Sequence, residues 1–147
     1  MACGYSQVPG VDFTKNFSPV VNDVTFRMML TIMMLKNYKC RLIDIKTAFL
    51  EGDLEEEIFM DILAGYKEVF EEETDGSCLK RERPLYGLVQ AACQFWKKAV
   101  EVLKKLGCAG GNTDPCLMTR KNEEGVVHII MHVDDFICVK MRRHFRS

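Results

Sequence analysis

The chain has 147 residues, 48% of them apolar and 28% charged, which allows one domain with its own core and excludes disordered or collagen-like sequence. Twenty Lys and Arg against 21 Asp and Glu leave a net charge that points to no partner. The longest apolar run, Met28–Leu35, falls well short of the ~20 residues of a membrane span, and the N-terminus has no signal-peptide core, so a soluble chain without a membrane partner is expected.

In chain order, residues 1–21 have isolated aromatics, Gly and Pro without a period, and are expected to be an extended lead-in. Asn22 or Asp23 can cap a helix to about Asn37, with Phe26, Met29, Leu30, Met33 and Met34 at helical spacing. Cys40–Ile45 alternates as a strand, followed by a short helix-like turn over Lys46–Leu50. Glu57–Asp61 and Leu79–Glu82 are short strands. Gln90–Leu106 is the clearest helix, apolar on one face, with Gly107 as its stop. Cys116–Lys121 and Val126–Val133 are strands joined by a polar turn. Phe136–Val139 is another strand, separated from its predecessor by Asp134-Asp135. Strands and helices mix without a βαβ repeat, so the class is α+β.

The near-neutral total hides segregation. Glu51–Asp75 carries eleven acids against Lys67, whereas Lys80–Lys105 and the last eight residues are mainly basic. Solvated faces account for such blocks. Seven cysteines, an odd number without a C-x-x-C pair, imply reduced structural thiols in an intracellular compartment rather than a disulfide framework or a zinc site.

Two features carry chemistry. In His128–Val139, Asp134 and Asp135 interrupt an apolar strand pair. Two adjacent acids repel, and burying either unpaired is costly; a cation such as Mg²⁺, which takes carboxylate oxygens and keeps waters for a phosphate to displace, removes both objections. An ordinary polar turn and a metal-binding hairpin are both open readings of these residues. Asp44 is an acid at the end of the apolar strand Leu42-Ile43-Asp44-Ile45, either a strand-end cap or a third ligand. Together the acids are the set that a two-metal phosphoryl-transfer site requires.

At this point the sequence resembles a known family. Asp44-Ile-Lys-Thr-Ala-Phe-Leu-Glu-Gly-Asp-Leu54, Leu85-Tyr-Gly-Leu-Val-Gln-Ala91 and His132-Val-Asp-Asp135, with Val11–Val21 and Asn112–Leu117 in the same order, are similar to the reverse transcriptase of copia-type LTR retrotransposons, from about residue 4 to 140. The resemblance implies a polymerase palm, an antiparallel sheet with packed helices, in which residues 1–40 are a fingers-like lead-in, 41–140 the palm core and 141–147 a tail outside the family pattern. It implies Asp44, Asp134 and Asp135 as catalytic residues and ligands of two Mg²⁺, with Mn²⁺ as a substitute. Ile45, Lys46, Thr47, Ala48, Phe49 and Gln90 are implied in nucleotide binding, Phe49 as the aromatic under the sugar that rejects a 2′-hydroxyl. The implied partners are dNTP and an RNA or DNA template with its primer, with integrase and RNase H as polyprotein neighbours, in the cytoplasm or a virus-like particle.

Departures from the family pattern are His132 where Tyr is usual, Ala92-Cys93 where a Pro-Arg pair is usual, and the lack of upstream finger cations and of a thumb. They keep a second reading in view, a catalytically inactive relic with weak nucleic-acid binding. An unrelated two-metal nuclease is a third, opposed by the Phe49 and Gln90 matches.

Overall fold

A computed structural model describes residues 2–63, 65, 66, 77–123 and 125–142. Helix α1 (Asp23–Leu35) starts where the extended Asn22 accepts the Val24 N–H through its side chain at 2.8 Å, an ordinary N-cap. Strand β1 (Lys39–Asp44) follows, then a 3-10 turn over Ala48–Glu51. Strands β2 (Ile58–Met60) and β3 (Leu79–Arg81) form a small antiparallel hairpin. Helix α2 (Ala91–Lys105) precedes β4 (Ala109–Gly110), β5 (Leu117–Asn122), β6 (Gly125–His132) and β7 (Asp135–Arg142).

The main sheet has the order β1-β7-β6-β5-β4, and every ladder in it is antiparallel. Alternation along the strands divides its side chains between two faces. Met118, Met131 and Phe136 lie on one face and pack against Phe95, Ala99 and Leu103 of α2. Ile130 and Val139, flanked by Leu117 and Ile137, lie on the other and bury Met29 of α1. The class is thus α+β, a mostly antiparallel sheet with a helix on each face.

The acidic loop after the 3-10 turn is tied to α2. Lys97 pairs with Glu55 at 2.5 Å and Lys98 with Asp53 at 2.7 Å, so two lysines of the solvated helix face hold a loop. The acidic stretch at Glu71–Glu73 lies outside the described residues.

Expected and observed elements differ in four places. A 3-10 turn at Gly4–Ser6 and the two-residue β4 are too short to leave a periodic pattern. The β6–β7 turn consists of Val133 and Asp134, because His132 pairs with Asp135; Asp135 is therefore a strand residue, and the expected Asp134-Asp135 turn is shifted by one. Strand β7 also runs to Arg142, beyond the expected end at Val139.

Candidate functional site

Asp44 is the last residue of β1 and Asp135 the first of β7, and they are directly opposite in the ladder. His132 is opposite Asp135 on the other side. Directly opposed residues share a face with Cβ atoms ~4.5–5.5 Å apart, so Asp44, Asp135 and His132 form a row across three strands. Asp134 occupies the turn, where its carbonyl accepts the Ile45 N–H at 3.2 Å. This bond ties the hairpin to the residue after Asp44. The sheet thus brings the backbone of positions 44, 134 and 135 to one place.

The turn is unusual at Val133, whose φ is 57°. A two-residue hairpin needs a positive φ at its first central position, a place that Gly or Asn normally takes. Residues held so against their preference cluster at functional sites. No feature of the sequence marks this, since a Val in an apolar strand pair looks like core.

Like charges directly opposed in a ladder are destabilising, and a hard dication with oxygen ligands would offset the repulsion between Asp44 and Asp135. The donor set fits Mg²⁺, which binds through one or two carboxylates and keeps positions for phosphate oxygens. Among the described residues, no group of three or more His, Cys, Asp or Glu side chains is already gathered as a metal cluster. The fit lies in the identity and register of the carboxylates.

Ile45–Phe49 leads away from the row. Ile45 and Phe49 pack on the α2 side of the core, and Ala48 is fully buried. Lys46 and Thr47 are exposed. Thr47 takes a φ of 55° and donates its hydroxyl to the Lys46 carbonyl at 2.6 Å. Phe49 is half-buried and stacks on Tyr86 with centroids 4.4 Å apart and planes at 29°.

Gln90 has a different setting. It is completely buried; its Nε2 donates to the Asp12 carbonyl at 3.2 Å and its Oε1 accepts from Gln7 Nε2 at 3.1 Å. Gln7 Oε1 in turn accepts the Val89 N–H at 2.8 Å. The Ala2 N–H reaches the Tyr86 carbonyl at 2.7 Å. Gly4 comes so near Gly87 that a Cβ on it would meet the Gly87 carbonyl at 2.0 Å. The lead-in therefore grips the turn before α2 and covers Gln90, while Tyr86 stays at Phe49. Tyr86 belongs to the Leu85–Ala91 motif, but Gln7 carries no signal in the sequence, because its partners are 82 and 83 positions away.

Asp114 was also missed. It is 2% exposed, and its two carboxylate oxygens accept the Asn22 and Cys116 N–H groups, each at 2.9 Å. Cys116, beside it, has its thiol pushed up to about 11, first by burial and then by the Asp114 charge, as suits an inert structural thiol. At Glu55, the hydrogen bond from Lys97 holds the carboxyl below the usual carboxylate range.

Residues 1–144 match the family model described as reverse transcriptase (RNA-dependent DNA polymerase). The chain is 33% identical over 137 residues to the "Retrovirus-related Pol polyprotein from transposon TNT 1-94" of Nicotiana tabacum, covering 92% of this chain and 10% of that protein. It is 27% identical over 137 residues to the corresponding polyprotein from transposon RE1 of Arabidopsis thaliana, covering 93% of this chain and 9% of that protein. The chain thus spans about a tenth of the length of these relatives. No solved structure gives a significant match.

Proposed function

Since the chain belongs to the reverse transcriptase (RNA-dependent DNA polymerase) family, we propose that it is the palm segment of a retrotransposon polymerase, using Asp44, Asp134 and Asp135 for nucleotidyl transfer from dNTP. The observation that carries this reading is the register pairing of Asp44 with Asp135, with the Asp134 carbonyl bonded to Ile45. Two of the carboxylates oppose each other, and the third is held in the adjoining turn.

In this reading the three aspartates would hold two Mg²⁺, and the ions would supply positive charge beside the reacting phosphate oxygens. The chain's own part is to present hard oxygen ligands at a fixed sheet edge. The exposed backbone of Lys46 and Thr47 lines the path of the triphosphate. Phe49, braced by Tyr86, forms the floor under the sugar. Gln90 acts from behind, by fixing the turn that carries Tyr86. Residues 1–40 serve as the fingers-like lead-in and 41–140 as the palm core; the template–primer comes from the intact element, and the work is done in the cytoplasm or a virus-like particle.

Grip on the primer–template supplies positioning, and positioning contributes several kcal/mol to reactions of this kind. A chain one-tenth the length of its relatives is therefore expected to extend a primer weakly. Two measurements test the reading. Mn²⁺ binding followed by electron paramagnetic resonance should weaken ~tenfold or more in Asp44→Asn, the size expected for loss of a charged ligand. Mg²⁺-dependent primer extension should be slow and absent in Asp134→Asn. Equal Mn²⁺ binding by wild type and Asp44→Asn would sink the metal site; residual extension unchanged in Asp134→Asn would sink the catalytic assignment. Rapid extension by the wild type would overturn only the expectation of weakness. A catalytically inactive relic is the second reading, favoured by side chains not already gathered as a metal cluster among the described residues. It predicts no metal-dependent extension at all.

A further inference from the structure

Strand β1 is an edge of the main sheet, with β7 as its neighbour in the order β1-β7-β6-β5-β4. The Ile45 N–H reaches the Asp134 carbonyl at 3.2 Å, which extends the β1–β7 register one pair beyond Asp44 and Asp135. Backbone bonds in an antiparallel ladder fall on alternate residues. Lys39, Arg41 and Ile43 therefore bond to β7, and the N–H and C=O groups of Cys40, Leu42 and Asp44 point out from the sheet. Among the described residues, no hydrogen bond engages these outward groups.

Proteins commonly protect such an edge with a proline, a bulge or a very short strand. Strand β1 has no proline, and its register with β7 runs without a break. All of its residues are exposed, Leu42 at 70%. Its cations, Lys39 and Arg41, occupy the same face, and Leu42 the opposite one. The far edge of the sheet is different, since β4 is two residues long.

We propose that β1 pairs antiparallel with β1 of a second copy of this chain, about a two-fold axis at Leu42, so that two sheets become one. A two-fold axis normal to the sheet keeps its faces, so opposed residues must both be odd or both be even in number. A pairing centred on Arg41 sets like charges directly against each other, which is destabilising. One centred on Ile43 leaves Cys40 without a strand residue opposite. Centred on Leu42, the pairing sets Leu42 against Leu42, Arg41 against Ile43 and Cys40 against Asp44. The residues with outward backbone groups then all fall in hydrogen-bonded pairs, each exchanging both bonds. The basic end of one strand, at Lys39, also lies beside the acidic end of the other, at Asp44. With one long edge open and the other two residues in length, the assembly closes at two copies and does not grow into a filament. Asp44 takes part through its backbone, so the pairing is independent of the carboxylate chemistry proposed above.

Sedimentation velocity over a concentration series tests the pairing. A single strand pair is a small interface, at the weak end of the range, so the wild type should pass from monomer to dimer between ~1 µM and ~1 mM, with no larger species. Leu42→Pro removes an outward N–H and leaves the bonds to β7 in place, so its circular dichroism should match the wild type while Kd rises ~tenfold or more. Leu42→Lys sets like charges opposite each other and should also raise Kd, less at high salt. Phe59→Lys, on the β2–β3 hairpin, should dimerise like the wild type. The register is read with Leu42→Cys in a Cys40→Ser background. Directly opposed residues in a hydrogen-bonded pair have Cα atoms ~5.5 Å apart, within disulfide reach. Oxidised glutathione should therefore link the two introduced thiols, each disulfide formed releasing two molecules of reduced glutathione, and mass spectrometry should find that link in the dimer. A wild type that stays monomeric, one that grows past the dimer, a dimer undiminished in either Leu42 variant that keeps the wild-type spectrum, or introduced thiols that fail to join would each overturn the proposal.

Discussion

At the residue scale, Val133 sets the shape of the acidic hairpin against its own preference. Its φ of 57° is left-handed, which costs an L-residue roughly 1–2 kcal/mol, and a β-branched one is least suited to it. Asn tolerates this region, so Val133→Asn should raise the unfolding free energy by about 1 kcal/mol, read from the midpoint of urea denaturation. The residue is only 38% exposed, so lost apolar burial offsets part of the relieved strain and keeps the gain at the lower end. A variant no more stable than the wild type would show that the turn is not strained. Asp44, Asp134 and Asp135 were legible in the sequence because carboxylates contrast with apolar strands. Val133 was not, because side-chain type does not give the sign of φ. The burial of Gln90 was hidden for another reason: its partners are 78 and 83 positions away.

At the element scale, the long helix and α1 could be read from periodicity, because each has one face against the core, and the strands from β5 to β7 from apolar runs bounded by polar turns, because both faces of the sheet are covered. Strand β4 could not, since two residues have no period. The pairing of elements was also out of reach: nothing in β1 says that Asp44 opposes Asp135 rather than a neighbour one step along. One pairing makes a prediction of its own. His128 of β6 faces Thr119 of β5, with Nδ1 and Oγ1 2.9 Å apart. Burial, then the Lys121 charge, lowers its pKa from the ordinary 6.5. The unfolded chain therefore binds a proton that the folded chain resists. This contribution to stability is complete above pH 6.5 and is lost as pH falls through the lower folded value. The urea midpoint of the wild type should drop more between about pH 7.5 and about pH 5.5 than that of His128→Gln, which lacks the titration. Equal drops would mean that His128 is solvated in the folded state.

At the scale of the whole molecule, the segregated charge seen in the sequence becomes contact: the acidic loop is held to α2 by Lys97 and Lys98. Those pairs are partly exposed, and such bridges are individually worth little. The stronger tie is Asp114, which joins three parts of the chain. One oxygen holds the Asn22 N–H, where the lead-in turns into α1, and the other holds the Cys116 N–H just before β5. Asn22 itself caps α1, so Asp114 fixes the helix entrance onto the sheet that carries the carboxylate row. Removing the side chain leaves the Cys116 amide without a partner in a buried setting, at roughly 1–3 kcal/mol, and the Asn22 amide in a part-buried one, at a smaller cost. Asp114→Ala should therefore lose about 2–4 kcal/mol in urea unfolding, and Asp114→Asn, which keeps one acceptor, about half as much. Hydrogen exchange should locate the loss: amide protection at Asn22, Cys116 and the first turn of α1 should fall before that of β6 and β7. Had Asp114 mattered only for local turn geometry, Asp114→Ala would cost well under 1 kcal/mol and α1 would keep its protection. The predicted pattern instead requires that one buried carboxylate couple the lead-in, a helix and the sheet.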